Sequence, residues 1–172
     1  MLISFGGADP DDVTGRALKA IVRTNAAVAV DVVVGSGYVH FSSLQDQANG
    51  RSNVRVYRGV PTLAPLLAQV DLAVGGCGVS AWERLSLGIP SLVITLAENQ
   101  RPIAGQLQRK QLIRWVGHHT AIDEVAIADA FKAALDDGVD AEASKQAMAL
   151  VDGRGAERVS AVMEQIRVAR HA

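Results

Sequence analysis

Two short loops hold most of the residues whose types and spacing could do chemistry. SFGGADPDD starts at Ser4 and VGGCGVSAWER at Val74, and each runs from an apolar stretch into a segment of helical spacing. Glycine loses more freedom on folding than any other residue, so the run Gly75-Gly76-Cys77-Gly78 implies unusual backbone angles or something that approaches closely. A helix N-terminus behind such a loop offers free N–H groups and the positive end of the helix dipole, which together favour an anion, typically a phosphate. Neither loop is a phosphate loop of the G-x-x-x-x-G-K-[ST] type. Gly76-Cys77-Gly78 supplies the first half of a dinucleotide fingerprint, but Ala81 stands where its third glycine belongs. Each loop therefore reads either as a tight strand-to-helix turn or as one wall of a ligand site. Glu83, a helical turn after Ser80, reads either as an acid on the dipole or as a carboxylate that accepts both hydroxyls of a ribose.

Other reactive types have plainer readings. Cys77 is a small loop residue with no base partner in view. His118 and His119 follow an apolar run and read as a solvated turn; with no cysteine or acid at ligand spacing, they make no metal site. Trp82 reads as core packing, and Arg101, Arg109 and Lys110 as a solvated helix face. Arg154, between two glycines, reads as a solvated residue or as a phosphate or sugar contact.

The segments that must position these residues alternate in type. LISF (2–5), VAVDVVVG (28–35), NVRVYRG (53–59), DLAVGG (71–76), PSLVITLA (90–97) and RWVG (114–117) are short apolar or β-branched runs, as expected of strands buried on both faces. Residues 11–24, 38–49, 62–69, 79–88 and 99–113 have helical spacing; Val13, Ala17, Leu18 and Ile21 share one face, with Asp11 or Asp12 as its cap. From about Asp123 to Arg170 the chain reads as two or three helices, broken at Asp137-Gly138 and Asp152-Gly153. Such alternation predicts an α/β fold, a doubly wound parallel sheet of about six strands with C-terminal helices. In such a sheet a ligand sits beyond the carboxyl ends of the strands, where the strand order reverses. In the last helix Val159, Val162, Met163 and Ile166 form one apolar stripe.

Composition narrows the function classes. The 172 residues suit one domain with a real core, and 49% of them are hydrophobic. A formal charge of −1 argues against a nucleic-acid partner. No apolar run reaches the roughly 20 residues that cross a bilayer, and MLISFGG has no signal-peptide character. A single cysteine fits a reducing cytoplasm.

DLAVGGCGVSAWERLSLGIPSLVITLAENQ (71–100) resembles the C-terminal half of UDP-sugar enzymes with the GT-B fold, above all the UDP-sugar hydrolases of pseudaminic acid biosynthesis. SFGGADPDD and LVDGRGAERV (150–159) are similar to the same family, and a weaker likeness extends to the N-acetylglucosaminyltransferase that makes lipid II. The resemblance implies one UDP-sugar-binding domain over residues 1–172, corresponding to the C-terminal half of a two-domain enzyme. It implies that Glu83 holds the ribose, that the backbone of Gly78, Val79 and Ser80 cradles the diphosphate with Gly6 and Gly7 across the cleft, that Val60 meets the uracil, and that Asn99 and Gln100 reach the sugar. Cys77, Val79 and Ala81 stand where the family has glycine, serine and threonine, which throws phosphate binding onto backbone N–H groups and Ser80.

The family's catalytic histidine belongs to an N-terminal domain, and none of His40, His118, His119 and His171 has a matching context. The expectation is therefore a nucleotide-binding half with no catalytic residue, metal or cofactor of its own. Its partners would be UDP or a UDP-sugar and an N-terminal catalytic domain or subunit, with a second copy of the chain as a further candidate. Three functions stand open: half of a UDP-sugar hydrolase in nonulosonic acid and polysaccharide biosynthesis, the donor-binding half of a glycosyltransferase, or a non-catalytic nucleotide-sugar-binding subunit.

Overall fold

The computed structural model describes residues 1–169, with side chains through residue 167. The chain alternates β1 (Leu2–Ser4), α1 (Val13–Arg23), β2 (Val30–Val34), α2 (Phe41–Ala48), β3 (Val54–Arg58), α3 (Ala64–Leu67), β4 (Ala73–Gly75), α4 (Val79–Ser86) and β5 (Ser91–Thr95). A 3₁₀ turn (Glu98–Gln100), α5 (Arg101–Arg109), β6 (Arg114–His118), α6 (Glu124–Asp137), α7 (Ala141–Leu150) and α8 (Gly155–Ala169) follow. All the strands are parallel, in the order β3-β2-β1-β4-β5-β6. The expected doubly wound sheet is the observed one, and its order reverses between β1 and β4.

Successive side chains of a strand point to opposite faces, and the core divides accordingly. Ile3, Val32, Val34, Val74, Leu92 and Ile94 pack with Leu18 and Ile21 of α1, Leu44 of α2 and Phe131 of α6. On the other face Val93 meets Ala81 and Leu85 of α4 and Leu107 of α5, while Leu2, Val33 and Ala73 surround Leu67 of α3. All five residues of β2 and of β5 are buried, which is why both read as nearly unbroken apolar runs. Asp31 is the exception in β2: it is buried, and its carboxylate accepts two hydrogen bonds from Arg55 on β3, at 2.7 and 3.0 Å.

Local chemistry moves several boundaries. The segment read as helical from residue 38 starts at Phe41, because Tyr38 is buried and its hydroxyl donates to Asp12. The run read over 99–113 opens as a 3₁₀ turn, and Pro102 places the first α-helical turn at Arg101. The C-terminal third is three helices, with breaks at Gly138 (φ 70°) and Gly153 (φ 75°) where the sequence puts them. Asp123 and Asp140 cap α6 and α7. Arg170 and His171 lie outside the described residues. The apolar stripe of α8 does not pack on the sheet: Val159, Val162, Met163 and Ile166 are 51–66% exposed.

Candidate functional site

The two glycine loops leave the carboxyl ends of β1 and β4, which are neighbours in the sheet, with Ser4 paired to Gly75. The loops therefore flank the point where the strand order reverses. The helices behind them lie on opposite faces, α1 on one and α4 on the other.

The glycines of the second loop have different reasons. A Cβ on Gly75 would lie 2.5 Å from the Ser4 carbonyl oxygen and 2.8 Å from a guanidinium nitrogen of Arg84, so close packing requires glycine there. A Cβ on Gly76 or Gly78 would meet nothing nearer than 3.6 and 3.9 Å. Gly78 is the N-cap of α4, and no side chain caps that helix. Helix geometry leaves the N–H groups of Val79 and Ser80 without partners inside the helix. Val79 is 79% exposed, so this end of α4 is open to solvent.

The first loop is a different object. Asp9 is buried and accepts from the N–H groups of Val13 and Thr14, at 3.0 and 2.7 Å. Asp12 accepts from Gly15 at 3.0 Å and from the Tyr38 hydroxyl. Burial and the Asp12 carboxylate raise the Tyr38 pKa, which keeps that hydroxyl a donor. The chain's own carboxylates thus fill the anion-favouring end of α1, Asp12 being one of the two caps expected there, and of the two helices α4 alone is left without a side-chain cap. Gly6 and Gly7 remain exposed beside it, Gly6 with a φ of 95°.

Arg84 is the residue that the sequence does not announce. Its side chain runs back along α4 and is buried beneath the second loop, 2% exposed. It donates to the Gly76 carbonyl at 2.6 Å, to Ser91 Oγ at 3.1 Å and to Ser80 Oγ at 3.3 Å. Burial pushes its pKa down to about 10. The available signal is its spacing of four from Ser80, which puts both on one helix face.

Glu83 is exposed on α4 and Asn99 is exposed on the 3₁₀ turn. Gln100 does not have its whole amide free for a ligand: its Oε1 accepts from the N–H groups of Cys77 (3.2 Å) and Leu96 (3.0 Å), tying the loops after β4 and β5 together. Val60 is half-buried and packs against the Leu2–Leu67 cluster. Cys77 points into the core, where burial raises its thiol pKa and keeps it protonated at neutral pH.

Two expectations are corrected. Trp82 is 39% exposed on α4 rather than in the core, because the inward face of that helix belongs to Ala81, Arg84 and Leu85. His118 and His119 are not a solvated turn: their side chains are 9% and 11% exposed, the first facing Glu98 and the second Asp11, each at 3.8 Å. Arg16 of α1 holds that turn down by donating to the carbonyls of His119 and Ile122. Arg154 stays in an exposed pair with Glu157. Among the described residues, no group of three or more His, Cys, Asp or Glu is placed to hold a metal.

Solved structures share this architecture. The glycosyltransferase WaaG of lipopolysaccharide biosynthesis superposes with a TM-score of 0.65 at 17% identity, over 88% of this chain and 42% of that one. The six-stranded parallel sheet and flanking helices of this chain thus have the fold of part of a GT-B glycosyltransferase. Anabaena Alr3699/HepE, solved in complex with UDP-glucose, matches with a TM-score of 0.58 at 13% identity, over 93% of this chain and 48% of that one.

Among curated proteins, the spore coat polysaccharide biosynthesis protein SpsG of Bacillus subtilis is 23% identical over 96% of this chain and 50% of its own length. The UDP-N-acetylglucosamine–N-acetylmuramyl-(pentapeptide) pyrophosphoryl-undecaprenol N-acetylglucosamine transferase of an Exiguobacterium species is 25% identical over 79% of this chain and 39% of its own. The chain thus spans half the length of these relatives or less. No protein-family model matches it. No helix among the described residues is long and apolar enough to cross a membrane.

Proposed function

We propose that the chain is the nucleotide-binding half of a two-domain UDP-sugar enzyme of polysaccharide biosynthesis, the half that the resemblance places at the C-terminus. The observation that carries this reading is the uncapped N-terminus of α4 at the switch point, where Gly78 gives a ligand access to bare backbone. A diphosphate there accepts from the N–H groups of Val79 and Ser80 and from the Ser80 hydroxyl. Glu83, a turn further on, accepts the ribose hydroxyls, and the main chain at Val60 meets the uracil edge. Gly6 and Gly7 close the opposite wall, Asn99 faces the sugar, and Gln100 contributes the Nε2 that its clamp leaves free.

The reactive groups then belong to the other half of the enzyme, or to a partner subunit, which also covers the open stripe of α8. A second copy of this chain is the alternative cover. Sugar transfer is the preferred reaction, since it is what the names of WaaG and of the Exiguobacterium relative describe. Hydrolysis of a UDP-sugar is the second reading, favoured above all by the WERLSLGIPSLVITLAENQ run.

Calorimetry on the 172-residue chain tests the nucleotide assignment. UDP is expected to bind more tightly than ADP or GDP. Glu83→Ala should weaken UDP by about tenfold to a hundredfold, the worth of hydrogen bonds to a charged group, and leave pyrophosphate nearly unchanged. Equal affinity for the three nucleotides would remove the uridine assignment, and an unaltered Glu83→Ala would return that acid to the helix dipole.

A further inference from the structure

A buried charge is ordinarily paired with an opposite one or bound to a metal, because leaving it alone in the interior is costly. Arg84 breaks that rule. It is 2% exposed, and among the described residues no carboxylate lies within ion-pair distance of it. Its partners, the Gly76 carbonyl, Ser80 Oγ and Ser91 Oγ, are all neutral.

Its placement compounds the cost. Arg84 belongs to the last turn of α4, where the helix dipole would favour a cation. Its guanidinium instead lies back beneath the first turn, beside Gly75, Gly76 and Ser80, at the positive end of the same helix. Two positive features on one spot repel each other until an anion arrives. The space is also built for the guanidinium: Gly75 has no Cβ that would collide with it, and Ser91 is buried beside it. The hydrogen bond to Ser80 has a direction as well. Because Arg84 donates to Ser80 Oγ, the Ser80 hydroxyl proton is free to donate outward.

We propose that Arg84 is a positioning residue for the diphosphate subsite, which it charges from below and through Ser80. This rests on the proposed function, since it takes the anion at the N-terminus of α4 to be the diphosphate of the nucleotide. Arg84 touches no ligand. It holds Gly76 in place, aims the Ser80 hydroxyl, and supplies the charge that this loop's own sequence, with valine and alanine at positions 79 and 81, does not.

The test compares the wild-type chain with Arg84→Met and Arg84→Lys, each titrated with UDP, with uridine and with pyrophosphate by NMR. Arg84→Met should weaken UDP and pyrophosphate by roughly tenfold to thirtyfold, the size of one unit charge acting from about 8–12 Å at an effective dielectric constant of about 20. Uridine, which has no phosphate, should stay within about twofold, and Arg84→Lys should recover only part of the loss, because a lysine buried there makes fewer hydrogen bonds and gives up its proton more readily than arginine. Equal losses for UDP and uridine would make Arg84 a purely structural brace and overturn the role. UDP bound alike by wild type and Arg84→Met would overturn it too, with the nucleotide site intact. A wild-type chain that binds neither UDP nor pyrophosphate would sink both the site and this residue's part in it.

Should Arg84→Met fail to fold, the wild-type protein still decides. The Nε–H signal of Arg84 is expected to shift along the pyrophosphate binding isotherm. A signal that does not move while pyrophosphate binds would overturn the proposal.

Discussion

Gly35 has no side chain because Gly7 occupies the space: a Cβ there would lie 2.0 Å from the Gly7 carbonyl oxygen and 2.5 Å from its Cα. Backbone cannot swing aside as a flexible side chain can, so the contact fixes where the first loop crosses the end of β2. Gly35→Ala should therefore displace Gly6 and Gly7 and destabilise the chain by about 1–3 kcal/mol, the usual cost of overfilling a packed site. Denaturant unfolding reads the stability, and amide shifts confined to residues 5–9 read the displacement. A fully stable variant with unmoved shifts would mean that the crossing has slack. Asp9, Asp12 and Tyr38 act at the same scale, since they fill the N-terminal end of α1 with the protein's own groups, while that of α4 has no side-chain cap.

At the scale of elements, the two C-terminal helices differ in what holds them. α7 packs against α4 and buries Ala147. α8 makes no comparable contact, and its first turn is tied by Asp152, which accepts from the Arg154 N–H and from the Arg158 guanidinium. The hydrogen bond from Arg158 and that from the Arg154 N–H lower the Asp152 pKa from its ordinary 3.8 to about 2. A carboxyl group whose folded pKa is depressed stabilises the folded form above its unfolded pKa, and that contribution disappears as pH falls through the folded value. The start of α8 is thus expected to fray between about pH 4 and pH 2, seen as lost amide protection at residues 155–158. Asp152→Asn should remove this pH dependence. Unchanged protection through that window would show that the cap adds nothing to the helix.

For the whole molecule, the decisive feature is the open face of α8. Val159, Val162, Met163 and Ile166 form an exposed apolar stripe on a helix that otherwise stands in solvent. Contiguous apolar surface of this kind marks an interaction site or drives association. In the absence of another half to cover it, the chain is expected to self-associate in sedimentation experiments, and Met163→Glu is expected to return it to a monomer. A wild-type chain that stays monomeric at high concentration would show that the stripe is too narrow to hold a second copy.

The sequence by itself determined the kind of fold. Doubly buried strands leave unbroken apolar runs, amphipathic helices leave stripes, and Gly138 and Gly153 mark helix breaks, since all of these are local consequences of backbone geometry. It also picked out both glycine loops and the open stripe of α8. Only the tertiary structure decided which loop presents a free helix end. A cap at Asp11 or Asp12 was legible, and Asp12 is the one, but Asp9 caps from four residues away through a backbone at φ 40°. His118 and His119 read as solvated because the groups they face, Glu98 and Asp11, come from distant loops. Arg84 was hidden for the same reason. An arginine at its place in WERLSLG reads as a surface residue, and nothing local says that its guanidinium fits against Gly75 and Ser91. That fit exists only once β1, β4 and β5 lie side by side, because burial is a property of what the rest of the chain brings near.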